Sequence, residues 1–155
     1  MTRNQLVALA GLGSAAMLAG AFAFEYIGAM APCQLCLWQR WPHAIAVGIM
    51  LGALALRKGR LLPLLGVAAA LTTAAIGGFH VGVEQGWWEG LAACTASSLA
   101  GVSVADLLNP NVSVGAPIRC DAIAWQMFGI SMAGWNMLVS LGLAGLWGLA
   151  ATRRN

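Results

Sequence analysis

The residues of this chain best suited to chemistry are its four cysteines. Cys33-Gln34-Leu35-Cys36 is a close pair, while Cys94 and Cys120 stand far apart. Four thiols have three uses: they hold a metal, staple loops as inert disulfides, or exchange electrons. A structural zinc site takes four soft ligands, commonly as two close pairs. Only one close pair is present, so no metal is expected. A bond between Cys94 and Cys120 would close a loop long enough to stabilise the fold by ~3 kcal/mol. A bond across C-x-x-C closes almost no loop and gains little from chain entropy. That asymmetry points Cys33 and Cys36 toward redox chemistry.

Arg40 follows Cys36 by four residues, so the two share a face wherever the helix has begun. An arginine at the edge of hydrocarbon can simply snorkel. Beside a spanning segment it is a functional candidate by default. Its cation would favour a thiolate, and its N–H groups would suit the carbonyl oxygen of an electron acceptor. His80 is a second candidate, although a lone histidine is more often an interfacial residue. Gln39, Gln126, Ser131 and Asn136 are polar positions that can bond to a neighbouring helix. Gly134 reads first as close packing.

The elements that carry these residues follow from composition. Of 155 residues, 60% are apolar and 8% charged. An ordinary soluble domain has roughly 45–50% and about 25%. Disorder is excluded, because it needs low hydrophobicity and high charge. No nucleic-acid partner is expected, since the net charge is only +3 and the basic residues form no stripe. An integral membrane protein remains. Stretches between charges give four spans, at about 5–24, 38–56, 61–80 and 130–150. Open sheets do not occur at membrane depth, so the expected fold is all-α, a bundle of four transmembrane helices.

Charge sorts the loops. Arg3, the group Arg57, Lys58 and Arg60, and the pair Arg153 and Arg154 fall on one side of a four-helix chain. The bias of basic residues toward cytoplasmic loops puts both termini inside. Glu25, Glu84, Glu89, Asp106 and Asp121 lie in the two outside connections, about 25–37 and 81–121, with all four cysteines. The rival reading makes residues 1–23 a cleaved signal peptide, with Ala21-Phe22-Ala23 as its cleavage site. The apolar stretch exceeds the 7–15 residues usual there, which favours a retained helix. Trp87 and Trp88 suit the membrane boundary.

Helix 2 needs more length than the uncharged residues after Arg40 supply, so it starts near or before Arg40. Cys36 then lies at or just ahead of the first turn, where partial positive charge stabilises a thiolate. Pro42 is expected at an early helical position, where a missing N–H matters least.

With these residues in view, the chain resembles the disulfide bond formation protein B (DsbB) family over nearly its whole length. The resemblance rests on Pro32-Cys33-Gln34-Leu35-Cys36-Leu37-Trp38-Gln39-Arg40, Ala93-Cys94-Thr95, Arg119-Cys120-Asp121, and the run from Gly129 to Asn136. It implies a bacterial inner-membrane enzyme that reoxidises DsbA, a thioredoxin-fold periplasmic dithiol oxidase, and passes two electrons to a membrane quinone, ubiquinone or menaquinone. It also implies that Cys94 and Cys120 form the disulfide meeting the partner, with Cys94 entering the mixed disulfide. Cys33 and Cys36 become the membrane-proximal redox disulfide, Cys36 faces the quinone, and Arg40 holds the quinone oxygen. His80 then falls near the quinone. Position 39 is glutamine here and can be acidic in relatives.

The implied chemistry is coherent. Disulfides exchange by thiolate attack through a mixed disulfide, and an acceptor downstream of DsbA must be stronger than its potential of about −120 mV. A quinone meets that need, and it reaches the site from the bilayer. Two alternatives carry different expectations. A vitamin K epoxide reductase-like enzyme places C-x-x-C on its last helix, whereas here it precedes helix 2. A disulfide-stapled membrane subunit would show no turnover.

Overall fold

The computed structural model describes residues 1–56, 59–91 and 119–153. Four long helices account for most of them: α1 (Arg3–Tyr26), α2 (Gln34–Leu56), α3 (Leu61–Glu84) and α4 (Met132–Thr152). α1 and α3 each pack against α2 and α4, so the helices form a ring in chain order.

Local chemistry starts α1 and α4. Thr2 and Gln5 form a reciprocal capping box, with the Thr2 hydroxyl accepting from the Gln5 amide at 3.3 Å. Ser131 caps α4 by accepting from the Gly134 N–H at 3.2 Å. Ahead of it, Gln126–Met127 (β1) pairs antiparallel with Ile130–Ser131 (β2). Phe128 and Gly129, with φ of 53° and 75°, make the connecting turn, whose two left-handed residues suit a tight hairpin. The uncharged stretch predicts helix from 130, but the hairpin holds 130–131 and delays α4 to Met132.

α2 begins at Gln34, ahead of the span expected from 38, because Cys33 caps it with a sulfur in place of a hydroxyl. Pro42 consequently lies inside the helix and not in its first turn. α3 runs to Glu84, one turn beyond the expected end, so His80 sits within the helix.

The bundle has two unlike ends. At one, Leu6, Val7, Met50, Ala70, Leu143 and Trp147 form an apolar core. Small residues let the helices close there, and a Cβ on Gly66 would sit 2.3 Å from the Trp147 ring. Arg3 ties the start of α1 to the α2–α3 turn, donating to the Gly59 carbonyl at 2.9 Å. At the other end, Cys33, Leu35, Val83 and Cys120 form a second buried cluster, with Cys36 against it.

Outward faces carry Leu9, Leu12, Trp41, Ile45, Leu64 and Leu141, all exposed. Apolar exteriors of this kind suit hydrocarbon. α1, α3 and α4 are long and apolar enough to cross a membrane. α2 is of similar length and carries the polar Gln34, Gln39, Arg40 and His43. The chain is a membrane protein built on these helices. Trp88 donates to the Phe79 carbonyl at 3.0 Å and stacks on its ring.

Candidate redox site

Cys33 sits just before α2, and its sulfur accepts from the backbone N–H of Cys36 at 3.3 Å. This is the geometry of a helix cap, and it brings the two sulfurs to 2.9 Å, with Cys33 donating to Cys36. An S–S bond is about 2.05 Å, so the two sulfurs are unbonded here and close enough to join on oxidation. The hydrogen bond to Cys36 and burial push the Cys33 thiol up to about 12, while the His80 ring draws it back. Cys33 is therefore held as a thiol at neutral pH.

His80 comes to the pair from α3. Its Nε2 lies 3.7 Å from Cys33 Sγ and 3.1 Å from the Cys120 carbonyl oxygen. Glu84, one turn along, places Oε1 at 3.8 Å from the same nitrogen. The Glu84 carboxylate also accepts from the Ser131 hydroxyl, joining α3 to the start of α4. On the far side of the ring, Gln39 Nε2 lies 3.0 Å from Nδ1.

One turn beyond Cys36, Arg40 projects from α2 toward α1. Its guanidinium pairs with Glu25, donates to the Ala21 carbonyl at 3.4 Å, and lies 4.9 Å from the Phe22 ring centroid. Its Nε is buried and has no hydrogen-bond partner among the described residues.

These groups border a cavity of about 460 Å³ lined by residues of all four helices. Cys33, Cys36, Arg40, His43 and His80 line it, with apolar walls from residues such as Met17, Phe24 and Trp135. His43 is buried behind Arg40 and meets Asn136 Oδ1 at 2.9 Å. Asn136 in turn donates to Thr73 Oγ1 at 3.1 Å, and Thr73 to the Gln39 carbonyl at 3.1 Å. The polar side chains of three helices thus form one buried network behind the dithiol.

Two comparisons bear on kinship. The family profile described as disulfide bond formation protein DsbB matches residues 3–150. This chain belongs to the DsbB family. A protein from Methylococcus capsulatus named disulfide bond formation protein B is 32% identical over 137 residues, covering 83% of this chain and 82% of its own length. One of the same name from Xanthomonas oryzae pv. oryzae is 31% identical over 150 residues, covering 90% and 84%. A third, from Hahella chejuensis, is 24% identical over 162 residues, covering 99% and 96%. No solved structure matches the chain significantly.

In this DsbB-family chain the fold gathers Cys33, Cys36, Cys120 and His80 into one cluster, with Arg40 lining the cavity beside it. Cys94, and with it the expected Cys94–Cys120 bond, lies outside the described residues. Sequence reasoning passed over three neighbours. Glu25 and Glu84 read only as outside-loop acids, and His43 was not singled out. The single forward signal was that Cys36, Arg40 and His43 recur at helical spacing on one face. Cys33 Sγ, Cys36 Sγ and His80 Nε2 lie within 4.8 Å of one another, as metal ligands can. Yet His80 Nε2 faces the Cys120 carbonyl, an acceptor, which favours a proton there over the lone pair a metal requires.

Proposed function

We propose that this chain is a membrane protein-disulfide:quinone oxidoreductase. It reoxidises a DsbA-like thioredoxin-fold protein at the periplasmic face of a bacterial inner membrane. All four helices span, α2 crossing between α1 and α3, with both termini in the cytoplasm. The observation that carries this reading is that the Cys33–Cys36 dithiol borders an apolar cavity which Arg40 also lines.

The residues present fit a quinone ring. A volume of about 460 Å³ falls within the roughly 300–1,000 Å³ of small-molecule sites. Among the described residues Arg40 Nε is a buried donor without a partner, and a carbonyl oxygen would satisfy it. A bound quinone, ubiquinone or menaquinone, supplies a lipid-soluble acceptor for two electrons. The remaining work belongs to this chain. Oxidation of the dithiol joins Cys33 Sγ to Cys36 Sγ and releases two protons and two electrons. Cys36 lies in the first turn of α2, where the helix end favours a thiolate. Arg40 orients the acceptor one turn away, and the apolar walls exclude water.

Electrons reach the pair by thiol–disulfide exchange. Cys94 takes the partner's thiolate attack, and Cys120 passes the electrons inward. The burial of Cys120 in the same cluster as Cys33 supports that route. The position of C-x-x-C at the start of α2 disfavours a vitamin K epoxide reductase-like plan. The test is quinone absorbance in purified protein supplied with a reduced thioredoxin-fold partner. Wild type turns over, and Cys33→Ser or Cys36→Ser abolishes turnover. Absence of wild-type turnover would favour a stapled structural subunit.

A further inference from the structure

Gln39 Nε2 contacts two groups: the Leu35 carbonyl oxygen at 3.2 Å and His80 Nδ1 at 3.0 Å. A carbonyl oxygen only accepts, so the atom facing it is the amide nitrogen and not the amide oxygen. The second N–H of that nitrogen is left for His80 Nδ1, which must present a lone pair. A neutral imidazole then carries its proton on Nε2. The other side of the ring gives the same answer independently. Nε2 faces the Cys120 carbonyl at 3.1 Å, Cys33 Sγ at 3.7 Å and Glu84 Oε1 at 3.8 Å. The first and last of these are acceptors, and the Cys33 sulfur, which already accepts from the Cys36 N–H, becomes a stronger one when it ionises. Gln39 and His80 are both buried, so water competes little for these bonds.

We propose that Gln39 is a positioning residue for the redox pair: its N–H on Nδ1 keeps the His80 proton on Nε2, as a donor facing the Cys33 sulfur. The ring thereby meets a growing negative charge on Cys33 with an N–H. It does so as a neutral group, because a proton on Nδ1 would oppose the Gln39 N–H. This rests on the reading of Cys33 and Cys36 as the reactive pair. It assigns His80 to the sulfurs, and the quinone needs no bond to it.

The exchange Gln39→Glu reverses the polarity. With a carboxylate at Nδ1 and acceptors around Nε2, the ring takes a proton on both nitrogens. Nitrogen-15 NMR of histidine-labelled, fully reduced protein reads this with no quinone or partner present. The chain has two histidines, and His43, whose ring meets Asn136, is the internal control. In wild type His80 shows a protonated Nε2 and a bare Nδ1. In Gln39→Glu its Nδ1 becomes protonated, while His43 does not change. Cys33 then faces a cation, and its alkylation at neutral pH quickens by about three- to fourfold for each unit of thiol acidity gained, because a more acidic thiol is also a weaker nucleophile.

A wild-type ring protonated on Nδ1 overturns the proposal, and this holds even if the variant fails to fold. So does a Gln39→Glu protein whose His80 signals stay put, or whose Cys33 reacts at the wild-type rate. Loss of quinone turnover with the NMR pattern intact would instead count against the quinone reading.

Discussion

Arg40 of α2 is ion-paired with Glu25 at the end of α1, and both side chains are mostly shielded from solvent. The guanidinium is therefore anchored across a helix interface and does not simply reach for the membrane surface. It spends one edge on Glu25 and Ala21, while Nε is buried with no partner among the described residues and the side chain borders the cavity. Replacing Arg40 by Leu leaves Glu25 without its partner and the cavity without its buried donor. The expected result is a KM for quinone raised by about tenfold or more, the equivalent of one lost hydrogen bond to a charged group. Glu25→Gln keeps the guanidinium but loosens it, and raises KM less. Steady-state kinetics over a quinone series checks the order.

The Cys33 thiol gives a pH signature. Its titration is pushed up from 9.0 to about 12, first by the hydrogen bond to Cys36 and then by burial. Alkylation of Cys33 should keep accelerating with pH well past 9. In Cys36→Ala the same profile should move down toward an ordinary thiol. The linkage has a sign as well. Between 9 and about 12 the folded state retains a proton that the unfolded state has lost. Stability from this group is thus complete below 9 and is lost as pH rises through that window. A Cys33 profile that levels off near 9 in wild type would remove this reading.

Packing at the opposite end is tested by Gly66. A Cβ there would overlap the buried Trp147 ring, which has no room to retreat. Gly66→Ala should lower stability by about 1–3 kcal/mol, the usual cost of overpacking. Quinone affinity should not change, since Gly66 does not line the cavity. Denaturant unfolding in detergent, paired with a quinone titration, separates the two effects.

Asn136 ties three helices through His43 and Thr73. Asn136→Leu strips partners from two buried polar side chains. Each unsatisfied group costs about 1–3 kcal/mol. The variant should unfold earlier than wild type, and a second change, His43→Leu, should recover part of the loss. A double-mutant cycle measures the recovery. Strictly additive losses would mean that the two side chains do not act together.

Much of the architecture was legible because charge is so scarce. Thirteen charged side chains, eight basic and five acidic, leave long uncharged stretches that can only be helices in a bilayer. The closeness of Cys33 and Cys36 was legible too, since a C-x-x-C at a helix start sets its two sulfurs side by side. The partners of Arg40 and His80 were not. Glu25 and Glu84 come from other helix ends, and which neighbour a side chain meets depends on how each helix rotates against the next. A helix apolar on every side gives no periodicity from which to read that rotation. The start of α2 escaped for a different reason. Its cap is a cysteine sulfur, and sequence rules look for Ser, Thr, Asp or Asn. The 126–131 hairpin was hidden because its Ile-Ser continues smoothly into an apolar helix.

Anaerobic mixing of fully reduced protein with one equivalent of quinone, followed by alkylation and mass analysis, reads the electron path from sulfur to ring. The expected result is one quinone reduced for each pair of thiols lost, with Cys33 and Cys36 among the protected residues and no reduction in Cys36→Ser. A quinone that stays oxidised while Cys33 and Cys36 remain alkylatable would contradict the account.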